Sequence, residues 1–87
     1  MMKIHIKYFA SIREAMGAST ESVEVDASQI TTVAALRDSL IAKGAPYSEA
    51  LARGKSVRTA LAQTMCDEAT LLTDGCEVAF FPPVTGG

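Results

Sequence analysis

Tryptophan is absent, histidine occurs once, cysteine twice, and no apolar run approaches the length of a membrane span. Each shortage excludes something. Cys66 and Cys76 are ten positions apart, a spacing that fits neither the common zinc-ligand pairs nor a redox pair, so no metal site is expected. Two thiolates are also too few for an iron–sulfur cluster, which needs four. Free thiols in a reducing compartment remain the expectation, and the opening stretch has no signal-peptide core, which points to the cytoplasm. The eight basic residues are scattered and the net charge is −2, so no electrostatic footprint for nucleic acid or an anionic membrane is expected and partners should be proteins. Glu14, Glu21, Glu24 and Asp26 fall on turns and an outer strand face, with no pairing that suggests acid–base catalysis. His5 stands alone on a charged strand face and should be exposed without a role.

What is present is enough apolar material for one core: 87 residues, 48% hydrophobic and 21% charged. Ile4, Ile6 and Tyr8 alternate with polar neighbours and predict a half-buried strand, which leaves Phe9 on the opposite face. A turn or one loose helical turn follows over residues 11–17. Val23 and Val25 alternate in a second strand, antiparallel to the first by the shortest connection. Thr31 or Thr32 can cap the next helix, whose apolar stripe is Val33, Leu36 and Leu40 and whose left-handed stop is Gly44. Pro46 opens a shorter helical segment that Gly54 ends, with Tyr47 and Leu51 as its buried pair. Residues 57–61 read as a further strand ending near Gln63. Asp74-Gly75 turns the chain into a final strand, 77–81, with Val78 and Phe80 on one face and Ala79 and Phe81 on the other. This order predicts an α+β domain over 1–81, an antiparallel or mixed sheet with one main helix packed across it and a short second helix.

The last segment, Phe81-Pro82-Pro83-Val84-Thr85-Gly86-Gly87, carries no charged side chain and ends in a free carboxylate. Pro82 and Pro83 fix φ and bring no amide hydrogens, so residues 82–87 should leave the sheet as a flexible, projecting tail. Six residues reach roughly 20 Å at about 3.3–3.6 Å each. Gly86 and Gly87 have no side chain, so a narrow channel in a partner can admit the end and its carbonyl carbon is open to attack. Chance alone puts Gly-Gly at the end of roughly one chain in two hundred, but not after an apolar strand and a proline pair. Phe9 and Phe81 lie by parity on the face away from the helix, and Met65 joins them if the chain turns after Gln63. A contiguous exposed patch there would mark a partner interface, unless the second helix or a loop covers it.

The ending, Leu72-Thr73-Asp74-Gly75 and then Glu77 through Gly87, resembles that of the small, sulfur-carrying subunit of molybdopterin synthase. Phe9-Ala10, Arg13-Glu14, Gly17, Thr32-Val33 and Leu36-Arg37 are similar to that family's pattern at matching distances, so the resemblance spans nearly the whole chain. It implies the ubiquitin-like β-grasp fold. It also implies that the Gly87 carboxylate is adenylated by an ubiquitin-activating-like adenylyltransferase using ATP, converted to a thiocarboxylate, and spent on a pterin precursor held by the large molybdopterin synthase subunit. On that reading the chain binds no cofactor, is not an enzyme on its own and belongs to a heterotetramer. Phe9, Met65, Phe81, Pro82, Pro83, Val84, Thr85 and Gly86 then contact partners. Cys76 and Ala62 depart from the family's usual Asp and Asn, and the second departure puts the chain path near Met65 in question. A thiamine-type sulfur carrier and a ubiquitin-like protein modifier share the fold and the tail, and stay as rival readings.

Overall fold

The computed structural model describes residues 1–83. The opening alternation becomes strand β1, Met2–Tyr8, and its inward residues Ile4, Ile6 and Tyr8 are almost completely buried. β1 pairs antiparallel with β2, Thr20–Val25, and parallel with the last strand, which places it inside the sheet. Between β1 and β2 the chain forms a seven-residue helix, α1, Ala10–Met16, where the sequence suggested a turn or one loose helical turn. Only Ile12 of α1 is buried, so no apolar stripe announced the helix. Gly17 ends it at φ 75°, with its amide donating to the Arg13 carbonyl at 3.0 Å.

Helix α2, Val33–Ile41, sends Val33, Leu36 and Leu40 into the same core. Its cap is Thr32, not Thr31: the Thr32 hydroxyl accepts from the Ala35 amide at 3.2 Å. Two more orphan amides at this end, Val33 and Ala34, donate to the carbonyls of Thr70 and Glu68, tying a distant loop to the helix start. Gly44 takes φ 89° just beyond the helix, as expected of a left-handed stop. Helix α3, Tyr47–Ala50, is a single turn that ends well before Gly54. Leu51 is fully buried, but Tyr47 is only half-buried, so the expected pair is a core residue and a boundary residue.

Arg37 lies on the buried side of α2 and is 3% exposed. Its guanidinium donates to the carbonyls of Leu51 at 2.8 Å and Ala52 at 2.7 Å, satisfying the end of α3, and to Glu68 at 2.8 Å. One side chain therefore joins α2, α3 and the 68–70 loop, and its buried charge is both paired and hydrogen-bonded.

The expected strand over 57–61 is β3, Arg58–Leu61, and the chain turns back after it into β4, Thr64–Cys66, which extends the sheet. β5, Glu77–Phe81, lies between β1 and β3, parallel to the first and antiparallel to the second. The strand order is β2-β1-β5-β3-β4, a mixed five-stranded sheet. The inward residues of β1 and β5 meet α1, α2 and Leu51 in one core, and among the described residues no helix packs on the opposite face of the sheet. This is the ubiquitin-like β-grasp architecture. Burying side chains the size of Phe80, Ile4 or Leu36 contributes about 1.5–3 kcal/mol each.

Candidate functional site

Side chains alternate across a strand, so the inward burial of Val78 and Phe80 sends Ala79 and Phe81 to the helix-free face. Register then assembles a site there. Ala60 of β3 lies directly opposite both Ala79 of β5 and Met65 of β4, which aligns Met65, Ala60 and Ala79 in one row. The two alanines are small and 7% exposed, so they form a floor. Around it stand Phe9, Ala10, Gln63, Met65, Phe81, Pro82 and Pro83, lining an open cavity of about 680 Å³. Phe9 is 45% exposed and Met65 62%. The two phenylalanine rings meet edge to face.

The structure thus brings together the five described residues that sequence reasoning placed at an interface: Phe9, Met65, Phe81, Pro82 and Pro83. Val84, Thr85, Gly86 and Gly87 lie outside the described residues. Sequence reasoning missed the floor residue Ala60, whose signal was its pairing with Ala79 rather than its own chemistry, and the lining residues Ala10 and Gln63. Among the described residues neither α3 nor a loop covers the face. The lining is apolar apart from the Gln63 amide, and such a surface gains most by burial against another apolar surface.

The position of Met65 depends on the turn before it. Ala62 at φ 51° and Gln63 at φ 69° are both left-handed, the geometry of a two-residue hairpin loop whose twist matches its flanking strands. The missing Asn therefore does not divert the chain. Ala10, at φ 52°, is the other non-glycine residue in this region of backbone space among the described residues, and it also borders the cavity.

A carboxylate with no expected role fixes the strand end from which Phe9 emerges. The Tyr8 hydroxyl donates to Glu21 Oε1 at 2.9 Å and the Tyr47 hydroxyl donates to Glu21 Oε2 at 2.6 Å. Burial, reinforced by the Glu21 carboxylate, pushes the Tyr8 phenol well above its ordinary pKa. The Glu21 hydrogen bond, followed by burial, pushes Tyr47 up to about 12. Tyr8 also stacks on Phe80, with ring centroids 6.4 Å apart. The backbone beneath Phe9 is anchored from both sides, and its amide donates to the Phe80 carbonyl at 3.2 Å.

The cysteines are partly buried free thiols, and Cys66 Sγ lies 3.7 Å from the Thr59 hydroxyl. His5 is exposed and contacts the Ser22 hydroxyl at 3.0 Å. Among the described residues no group of three or more His, Cys, Asp or Glu converges in a way that would hold a metal ion, and no helix is long and apolar enough to cross a membrane.

Comparison with known proteins gives concordant results. A relative from Escherichia coli K12, a molybdopterin synthase sulfur carrier subunit, is 45% identical over 84 residues, covering 97% of this chain and 99% of the relative. Among solved structures, the small archaeal modifier protein 1 of Haloferax volcanii superposes with a TM-score of 0.75 at 24% identity, covering 97% of this chain and all of that one. A chain from the complex of subunits 1 and 2 of the molybdopterin-converting factor of Helicobacter pylori superposes with a TM-score of 0.67 at 23% identity, covering 99% of this chain and all of that one. At these identities both structures speak for the fold alone. The model of the ThiS family matches residues 6–87. With that match over nearly its whole length and a relative sharing close to half its residues, the chain belongs to the ThiS family and stands within it beside the molybdopterin synthase sulfur carrier subunits.

Proposed function

We propose that Gly87 is the working group of a sulfur carrier and that the apolar face is the seat on which its partners hold the chain. The observation that carries this reading is continuity: Pro82 and Pro83, the last described residues before the Gly-Gly end, themselves line the cavity. A partner that covers Phe9, Met65 and Phe81 therefore holds the root of the segment ending in the carboxylate.

The chemistry follows from the carboxylate. It is a poor acyl donor because its leaving group would be oxide. Attack of a carboxylate oxygen on the α-phosphorus of ATP, with loss of pyrophosphate, gives an acyl-adenylate. A sulfur nucleophile then displaces AMP and leaves a thiocarboxylate. The ionised sulfur is polarisable and attacks an electron-poor carbon more readily than oxygen does. ATP belongs to the activating enzyme, an ubiquitin-activating-like adenylyltransferase. The acceptor is the pterin precursor in the large molybdopterin synthase subunit, where the acid–base groups also reside. The Escherichia coli relative, 45% identical and named as a subunit of a synthase, supports a large-subunit partner. The chain is then the non-catalytic, sulfur-donating half of the synthase, and works in the cytoplasm.

Intact-mass measurement after incubation with activating enzyme, ATP and a sulfur source tests the reading. The expected result is a gain equal to replacing one oxygen by sulfur, lost when Gly87 is deleted or a residue is appended. An unchanged mass with an enzyme preparation that charges a known carrier would overturn it.

A further inference from the structure

Three of the eight basic residues, Arg53, Lys55 and Arg58, fall within six positions of the sequence, and the fold brings Arg37 to the same place. Arg37, Arg53, Lys55 and Arg58 line a cavity of about 380 Å³ together with Ser56, Val57, Glu68 and Pro83. Pro83 also lines the apolar cavity, so the two surfaces are continuous. Arg58 opens β3 directly opposite Phe81, which puts it at the border between them.

The acids at this place are already committed. Glu68 pairs with Arg37 and Arg53, and Asp38 pairs with Arg53 at 2.9 Å. Among the described residues, neither Lys55 nor Arg58 has a carboxylate within salt-bridge distance, and both are exposed. No acidic residue occurs between Glu49 and Asp67. A chain of net charge −2 thus concentrates surplus positive charge along one border of its apolar face.

We propose that Lys55 and Arg58 form a basic rim that receives an acidic segment of the large synthase subunit as that subunit closes over the apolar face. The inference rests on the interface reading given above. It adds the charge of the partner surface and the edge at which that charge sits. Two free cations are too few to hold a nucleic acid backbone against a net negative chain, whereas they match one or two carboxylates on a protein rim. Charge at the border of an interface accelerates encounter and fixes orientation more than it adds final affinity. Here it would seat the side of the interface that Pro83 borders.

Association kinetics between the full chain and the large subunit, followed from about 20 mM to about 300 mM salt, test this. Wild type should associate faster at low salt. Lys55→Glu/Arg58→Glu should slow association on the order of tenfold at low salt and flatten the salt slope, with dissociation little changed. Lys3→Glu applies a charge reversal at the far end of β1 and should have a much smaller effect. Melting curves will confirm that each variant is folded. Wild-type binding whose rate and salt slope survive the double reversal, or fall equally with Lys3→Glu, overturns the basic rim while leaving the apolar interface standing. Absence of wild-type binding at every salt concentration overturns the interface reading itself. A rise in melting temperature with inorganic phosphate, lost in the double variant, would reassign the rim to a small anion.

Discussion

Phe9 and Phe81 meet edge to face with ring centroids 6.5 Å apart and ring planes at 87°, although one follows the first strand and the other ends the last. The parallel pairing of β1 with β5 makes this contact, and it places both rings on the helix-free face beside Pro82. Neither ring fills the core, so the site and the fold are separable by mutation. Phe81→Asp is expected to weaken binding to the large subunit by about 2 kcal/mol or more, roughly thirtyfold, through faster dissociation. Far-UV circular dichroism should remain that of wild type. Calorimetry showing unchanged affinity would count against the interface.

Arg37 behaves in the opposite way, because it is part of the fold. Arg37→Ala leaves the Leu51 and Ala52 carbonyls without their donor and Glu68 without its buried partner, and should destabilise the domain by about 3–5 kcal/mol. Arg37→Lys restores charge but not the fork of donors, so it should recover only part of the loss. Urea denaturation of both variants measures the difference.

The contrast explains what was legible in the sequence. Period-2 alternation in Ile4, Ile6 and Tyr8, and the Val33, Leu36, Leu40 stripe, each follow from local geometry and a single buried face, so they could be read directly. Helix α1 could not, because one buried residue, Ile12, makes no stripe. β4 was hidden because its three residues are exposed or half-buried, and its existence depends on two left-handed residues that are not glycine. The apolar site was visible through Phe9 and Phe81, which violate alternation, whereas Ala60 is unremarkable until strand register sets it under Met65. Arg53, Lys55 and Arg58 already lie within six positions of one another, whereas the arrival of Arg37 beside them is a tertiary fact with no linear signature.

Because Ala62 and Gln63 both sit at positive φ, the β3–β4 loop carries a backbone cost that can be relieved. Asn tolerates this region better than Ala, so Ala62→Asn should raise stability by about 0.5 kcal/mol, while the β-branched Ala62→Val should lower it by about 1–2 kcal/mol. Since Ala62 does not line the apolar cavity, affinity for the large subunit should hold in both. Denaturation midpoints give the first comparison and calorimetry the second.

The Glu21 clamp makes an alkaline prediction whose sign is fixed by the direction of two shifts. Tyr8 and Tyr47 both hold their protons more tightly in the folded chain than a free phenol does. An unfolded tyrosine ionises near pH 10, so above about that pH the unfolded chain binds fewer protons than the folded one and stability falls as pH rises. Below about pH 9 the contribution is complete and flat. Comparison with a variant isolates the contribution of the two phenols. In Glu21→Gln one amide oxygen replaces two carboxylate oxygens, so one phenol loses its acceptor and the negative charge that opposes ionisation disappears. That variant should lose about 1–3 kcal/mol at neutral pH and show a shallower alkaline decline than wild type. Thermal melts across the alkaline range, with tyrosinate absorbance recorded alongside, decide it. Parallel declines in the two proteins would mean that Glu21 does not control the phenols.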